Sequence, residues 1–198
     1  MVLIALLTIL GGVGATCLLR SPEPEYQGKS LGSWLARAES LWRCESDSTA
    51  SGVAQAQIDD ALRQIGTNAL PALLTMLQAK DSPLKQQVVS WSHAYPHCPI
   101  HPASAEVSHA RALLGFKILG PTAGPAVPAL IELVLHGEDE TAMLAARALA
   151  RIGVAATNAV PALVRNLSHQ DIAVRSTATN ALKRIDPLAA INAGVRVG

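Results

Sequence analysis

Aromatic side chains are scarce in this sequence of 198 residues: they make up 3% of it and include a single Phe. Charged residues account for 16%, below the roughly 25% usual for globular chains, which excludes a disordered and highly charged protein. Three cysteines are too few for a small disulfide-rich domain. The formal net charge of +1 provides no overall attraction to nucleic acid or to acidic surfaces.

The sequence motifs of several common active sites are also missing. There is no CxxC pair for zinc, no GxGxxG or GxxxxGK[ST] loop for a nucleotide, and no adjacent His-Glu pair. We therefore predict that the protein is not an enzyme and needs no cofactor.

The first 19 residues contain no charged side chain. Such a run is long enough to cross roughly 30 Å of hydrocarbon at about 1.5 Å per residue. We predict a signal or anchor segment at residues 1–19 that targets the protein to a membrane. A buried core helix is the alternative, although this run has no polar face.

An uncleaved anchor is the preferred interpretation of this segment, because an A-x-A cleavage site is missing. Lipidation of Cys17 is the alternative, but the residues before it depart from a lipoprotein box. Residues 20–30 are polar, with two prolines, and are predicted to form an extended tether. Arg20 and Lys29 would weakly hold that end in the cytoplasm, which leaves the orientation open.

A repeat of 33 residues fills the C-terminal part of the chain. Residues 126–153 align with 159–186 without a gap, and an earlier copy starts at residue 68 with 24 additional residues. Each copy is predicted to form two helices, which we call its first and second helix. The first helix is predicted to begin at Asn68, Pro125 or Asn158, where Asn would cap it with its side chain, and to have a proline in its first turn. We place the insertion after the second helix of the first copy.

Gly66, Gly120 and Gly153 end the predicted second helices, as expected for a left-handed cap. A helix pair of this kind cannot bury its apolar face alone, so the copies must stack. Strands are improbable, because no segment of useful length alternates polar and apolar residues. We predict an all-α fold, an α-solenoid of antiparallel helix pairs, preceded by one hydrophobic N-terminal helix. Its parts are an N-terminal cap pair 31–66, a repeat 67–92, an insertion loop 93–103, repeats 104–186 and a C-terminal cap 187–198.

The repeat motif resembles bacterial HEAT-like repeats, including the type first named in phycobilisome lyases. The shared features are a Pro-Ala-Leu first helix, an Asp-x-x-Val-Arg start of the second helix and an Ala-x-x-Ala-Leu-x-x-Ile ending, over roughly residues 52–190. The motif residues are Pro71, Pro128, Pro161, Asp81, Asp171 and Arg175. The resemblance implies a HEAT-like, armadillo-type solenoid with Asp–Arg hydrogen bonds between adjacent units, which Ala142 would interrupt.

The segment from Tyr26 to Leu35 is similar to the lead-in of some membrane-targeted bacterial HEAT proteins. This resemblance implies a bacterial, membrane-associated protein and slightly favours the extracytoplasmic side. HEAT scaffolds usually bind extended partners on the surface of their second helices.

Basic residues are concentrated near the C-terminus: the sequence from Thr141 to Gly198 contains seven basic residues and two acidic ones. Arg151 and Arg184 occupy equivalent repeat positions. We predict that Arg147, Arg151, Lys183 and Arg184 form a surface that binds an unidentified protein or peptide. A solvated face and a polyanion site are the alternatives. Membrane targeting makes a nucleic-acid partner unlikely.

A group of histidines and a cysteine in the insertion offers the main alternative chemistry. His93, His97, Cys98 and His101 carry ligands that suit zinc, without the usual ligand spacing. A surface loop is the preferred interpretation, and a metal-dependent or lyase-like enzyme is the alternative. Whether Cys44 pairs with Cys98 in an oxidising compartment stays open.

Overall fold

The computed structural model describes residues 23–43, 48–82 and 103–196 of the chain, and most of them are helical. The α-helices are α1 (Leu31–Arg43), α2 (Ser48–Ile65), α3 (Leu70–Leu77), α4 (Ala105–Leu119), α5 (Val127–His136), α6 (Asp139–Ile152), α7 (Val160–Asn166), α8 (Ile172–Ile185) and α9 (Pro187–Asn192). The described residues form an all-α fold apart from one small hairpin of β1 (Glu25–Tyr26) and β2 (Lys29–Ser30).

The hairpin corrects the prediction of an extended tether over residues 20–30. Gln27 and Gly28 both have positive φ, at 52° and 70°, which makes the tight turn between the antiparallel strands. The indole N–H of Trp34 donates to the Tyr26 carbonyl at 3.2 Å, and the Lys29 ammonium lies 4.8 Å from the Trp34 ring centre. Residues 23–30 are therefore folded back against α1 instead of extending away from it. The strands were missed because two residues are too few to show alternation.

The three copies of the repeat form helix pairs that pack side by side. The first helices are α3, α5 and α7, and each packs against its own second helix, α4, α6 or α8. The second helix α6 packs against α4 on one side and against α8 on the other. The N-terminal pair α1–α2 also packs against α4. One hydrophobic core runs through all these pairs.

The insertion lies inside the first copy, not after its second helix as predicted. Helix α4 packs against α3 and ends at Gly120, the position equivalent to Gly153 at the end of α6. It is therefore the second helix of the first copy, and the repeat predicted at 67–92 extends to residue 119. The extra residues separate α3 from α4. Most of the predicted insertion loop, 93–102, lies outside the described residues.

The predicted side-chain caps of the first helices are also wrong. Asn68 and Asn158 lie inside short 3-10 turns, Gly66–Ala69 and Gly153–Ala159, that lead directly into α3 and α7. No side chain caps these helices or α5. The backbone of the preceding turn supplies the acceptors instead: the Leu70 amide, for example, donates to the Thr67 carbonyl. Glycines end α4 and α6 as predicted, at Gly120 and Gly153, and both have positive φ, at 52° and 75°. Their ψ values of −130° and −140° lie outside the left-handed helical region, so the predicted left-handed cap is wrong at both positions.

The membrane segment predicted at 1–19, with Cys17 and Arg20, lies outside the described residues. Within those residues, one helical stretch, 105–136, is long and apolar enough to cross a membrane by length and composition alone. That stretch spans α4 and α5 of the repeats, and it contributes Phe116, Leu119 and Leu130 to the core. We assign it to the interior of the repeat domain.

Candidate binding face

The three second helices have their charges arranged in the same order along the chain. Acidic residues lie at their N-terminal ends, as with Glu106 in α4 and Asp139 and Glu140 in α6. Basic residues lie in their last turns: Lys117, Arg151, Lys183 and Arg184. This order complements the helix macrodipole at both ends. It also gathers positive charge over the C-terminal halves of α4, α6 and α8.

We call the surface over these C-terminal halves the second-helix face. Because α4, α6 and α8 pack in order, equivalent positions of the 33-residue repeat become neighbours across the face. Arg151 and Arg184 are such a pair, and Arg147 and Asn180 are another. The face is formed by Leu114, Lys117, Arg147, Arg151, Asn180, Lys183 and Arg184.

The structure brings the four predicted partner-binding residues onto this one face. Arg147, Arg151 and Arg184 are exposed, and Lys183 is half-buried. Across the described ranges 23–43, 48–82 and 103–196, none of the four forms an ion pair or a side-chain hydrogen bond. Within the described part of the chain, no other side chain neutralises their charges.

A groove of about 340 Å³ opens on the face between α1, α4 and α6. Its floor is apolar and is formed by Ala110, Leu113 and Leu114 of α4. Its charged walls are Glu39, Arg111, Lys117 and Arg151. The Arg111 guanidinium makes an ion pair with Glu39, with Nη2 to Oε2 at 3.1 Å, and each side chain is about one-fifth exposed. Arg151 lines this groove and is also the repeat equivalent of Arg184 on α8.

A second groove, of about 250 Å³, lies between α6 and α8. Arg147 and Ala150 form one side of it, and Ser176, Thr177 and Asn180 form the other. The side chains of Ser176, Thr177 and Asn180 offer hydrogen bonds beside the Arg147 charge. The two grooves lie on opposite sides of α6.

The opposite ends of the same helices are held by bonds between copies. Lys80 makes an ion pair with Glu138, with Nζ to Oε1 at 2.6 Å. His109 of the first copy is buried; its Nε2 lies 2.9 Å from the Ala79 carbonyl oxygen of the same copy, and its Nδ1 lies 3.7 Å from Glu140 Oε1 of the second copy. The side-chain amide of Asn166 donates from Nδ2 to the Val134 carbonyl at 3.2 Å. These polar groups are used in joining neighbouring units, and we assign them a structural role.

A third groove, of about 670 Å³, lies near the N-terminal ends of α6 and α8. Asp139, Arg165 and His169 line it, and His169 Nε2 lies 3.6 Å from Asp139 Oδ1. Both signs of charge are present there, and Asp139 is already engaged. This groove lacks the uniform charge that distinguishes the second-helix face.

The motif residues hold the helix ends. Pro71, Pro128 and Pro161 are each the second residue of a first helix, where the amide needs no intrahelical partner. Asp171 caps α8, with its Oδ1 accepting from the Ala173 amide at 2.6 Å. Arg175 donates to the His169 and Gln170 carbonyls of its own unit, both at 2.8 Å. The expected Asp–Arg bond between units is therefore not made by Arg175.

Asp81 has a capping role that the sequence motif alone did not show. Its two carboxylate oxygens accept from the Ala105 amide at 2.9 and 3.0 Å, across a gap of 24 residues. Ser104 Oγ accepts from the Val107 amide at the same helix end. Asp81 thus still caps the second helix of its copy, although the insertion separates the two in sequence.

The candidate metal ligands His93, His97, Cys98 and His101 lie outside the described residues, as does Cys44. In the part of the chain that the structure describes, no three His, Cys, Asp or Glu side chains are grouped closely enough to hold a metal ion. The groove floor of α4 and the Arg111–Glu39 pair were missed from sequence. The signal for them was the 33-residue spacing between Gly120 and Gly153, which identifies α4 as a second helix.

Comparison with known proteins supports the repeat assignment. The family model of HEAT repeats matches residues 124–193, which cover α5 to α9. No curated protein and no solved structure matches the chain. The chain is therefore similar to HEAT-repeat proteins over about its last third, and its particular function must be argued from the face itself.

Proposed function

We propose that this protein is a non-catalytic scaffold whose second-helix face binds a protein or peptide. The observation that carries the proposal is the group of four basic residues on one face, Arg147, Arg151, Lys183 and Arg184, which have no acidic partner among the described residues. Two of them, Arg151 and Arg147, line the two grooves of that face. HEAT repeats are commonly protein-interaction scaffolds, and the family is usually non-catalytic, which agrees with this role. The helix pairs stack into an α-solenoid, which presents the second helices as one continuous surface.

Tethering to a membrane through residues 1–19 is part of this proposal. It is supported by the absence of charge in that run and by its length. The bacterial source, the extracytoplasmic side and the likeness to phycobilisome-lyase-type repeats are carried by sequence resemblance alone. Fractionation of cells provides the check: the full chain should sediment with membranes, and a chain lacking residues 1–19 should be soluble.

Site-specific photo-cross-linking in native membranes tests the binding role. A photoreactive residue placed at Asn180 lies on the face, and one placed at Arg165 lies on α7 away from it. We expect a partner protein to be cross-linked to the photoreactive residue at Asn180 and not to the one at Arg165. Equal capture from both positions, or capture from Arg165 alone, would contradict the assignment of the face.

A further inference from the structure

We propose that the second-helix face binds an extended acidic peptide that carries one apolar side chain, a conclusion that depends on the binding role proposed above. The apolar side chain enters the groove over Leu113 and Leu114, and two carboxylates meet Arg151 and Arg184. The partner is thereby defined by its chemistry: an apolar residue followed at regular spacing by acidic residues.

The charge of the face selects an acidic partner. Its basic side chains Arg147, Arg151, Lys183 and Arg184 have no acidic partner in the described ranges, whereas the acids near the helix starts, Glu138, Asp139 and Glu140, lie close to basic side chains of other units. Glu39, the acidic residue in the walls of the first groove, is already paired with Arg111. A carboxylate ligand therefore meets mainly attractive charge on this face.

The apolar floor of the first groove favours a peptide over a nucleic acid. Ala110, Leu113 and Leu114 give it a mostly hydrocarbon lining, which gains free energy by covering an apolar side chain. A phosphate backbone needs only the basic side chains and would leave this floor uncovered. The size of the groove, about 340 Å³, suits a single side chain such as leucine with its neighbouring backbone.

Repeat geometry sets the spacing of the ligand's side chains. The groove floor is on α4, Arg151 is on α6 and Arg184 is on α8, so the three features lie one helix apart. Packed helices have axes about 8–10 Å apart. A polyproline II segment has three residues per turn and rises about 3.1 Å per residue, so side chains three apart share a side at about 9 Å. The matching pattern is apolar-x-x-acidic-x-x-acidic.

A designed peptide tests this pattern directly. The probe is the labelled peptide Gly-Leu-Pro-Ser-Glu-Pro-Ser-Glu-Pro-Ser-Leu-Gly, which presents the pattern in both chain directions. It is titrated by fluorescence anisotropy against the full-length chain in a non-ionic detergent. Two matched peptides replace both Glu with Gln, or both Leu with Ser. An oligothymidylate serves as the nucleic-acid comparison.

We expect the Arg151→Glu, Arg184→Glu double variant to bind the probe at least about tenfold more weakly, because two attractive contacts become repulsive. The Arg165→Glu, Arg196→Glu variant makes the same change of charge at two residues that line neither groove, and it should stay within about twofold of wild type. All four arginines are exposed, so both variants should fold. Each variant puts a negative charge in the last turn of a helix, so both should unfold at a slightly lower temperature than wild type. Both peptide substitutions should weaken binding.

Several results would overturn the proposal. One is that the Gln peptide or the Ser peptide binds as tightly as the probe peptide. Another is that oligothymidylate binds more tightly than the probe. A third is that the control variant loses as much affinity for the probe as the Arg151→Glu, Arg184→Glu variant does. Selection of a random peptide library on the wild-type protein shows whether only the acidic pattern is wrong or whether the scaffold role is wrong as well. Selected peptides that need Arg151 and Arg184 but lack the acidic pattern would reject this inference and leave the scaffold role standing. Recovery of no peptide that depends on the face would reject both.

Discussion

At the residue scale, close packing between helices depends on small side chains at one repeat position. The fully buried Ala148 in α6 and the almost fully buried Ala181 in α8 are equivalent to Gly115 in α4. At Gly115 the contact is closer still, because an added Cβ would lie 2.5 Å from Leu73 Cδ2. Leu73 is itself fully buried in α3 and has little room to move. The approach of α3 to α4 therefore requires glycine at this position.

Substitution of this glycine should destabilise the protein. Gly115→Ala gains about 1 kcal/mol of helix propensity, but the new methyl overpacks the α3–α4 contact, which typically costs about 1–3 kcal/mol. We expect a net loss of up to about 2 kcal/mol in the free energy of unfolding, measured by urea denaturation. Gly52→Ala is the matched control, since Gly52 lies in α2 with no atom near its added Cβ. The control should be neutral or stabilising; an equally stabilising Gly115→Ala would contradict the packing.

At the element scale, the chain keeps a complete helix pair in its first copy despite the 24 inserted residues. Asp81 and Ser104 cap the same end of α4 from the two sides of the insertion. Asp81 stands where Glu138 and Asp171 stand in the later copies, at the start of the second helix. The cap thus fixes where the chain resumes its repeat after the insertion.

Removal of this cap should weaken the start of α4 selectively. Asp81→Ala leaves the Ala105 amide without its carboxylate acceptor, and loss of a cap typically costs about 1 kcal/mol. We expect faster hydrogen exchange at the Ala105 amide, with the Val107 amide unchanged because Ser104 still accepts from it. Asp81→Asn keeps an acceptor oxygen and should retain most of the protection. Unchanged exchange at Ala105 in Asp81→Ala would show that the carboxylate does not cap this helix.

The helices of the last two copies were predictable from sequence, because an ungapped offset of 33 residues fixes their boundaries and their buried positions. The position of the insertion was not, since a count of residues between Pro71 and Pro128 cannot show which side of the second helix receives the extra chain. The side-chain caps expected at Asn68 and Asn158 were wrong because continuous 3-10 turns already satisfy those amides. The basic residues could be named from sequence, but the apolar floor beside them depends on identifying α4 as their neighbour.

At the scale of the whole molecule, repetition turns single charges into an extended surface. Each second helix has at least one basic residue in its last turn, where the macrodipole favours positive charge. One such helix would present an ordinary solvated end. Side by side, α6 and α8 bring Arg147, Arg151, Lys183 and Arg184 onto one face, and Arg147 and Arg151 each line a groove there. This arrangement supports the proposed binding role.

The claim on which this account depends is that α4, α6 and α8 lie side by side in repeat register. Lys117 and Lys183 occupy equivalent positions two helices apart, so spin labels attached there report that register. Both are changed to Cys, with Cys17, Cys44 and Cys98 replaced by Ser, and the distance is measured by double electron–electron resonance. Two steps of about 8–10 Å predict a single narrow distance near 20 Å. A distance well beyond about 30 Å, or a broad distribution, would contradict the stacked second helices and with them the binding face.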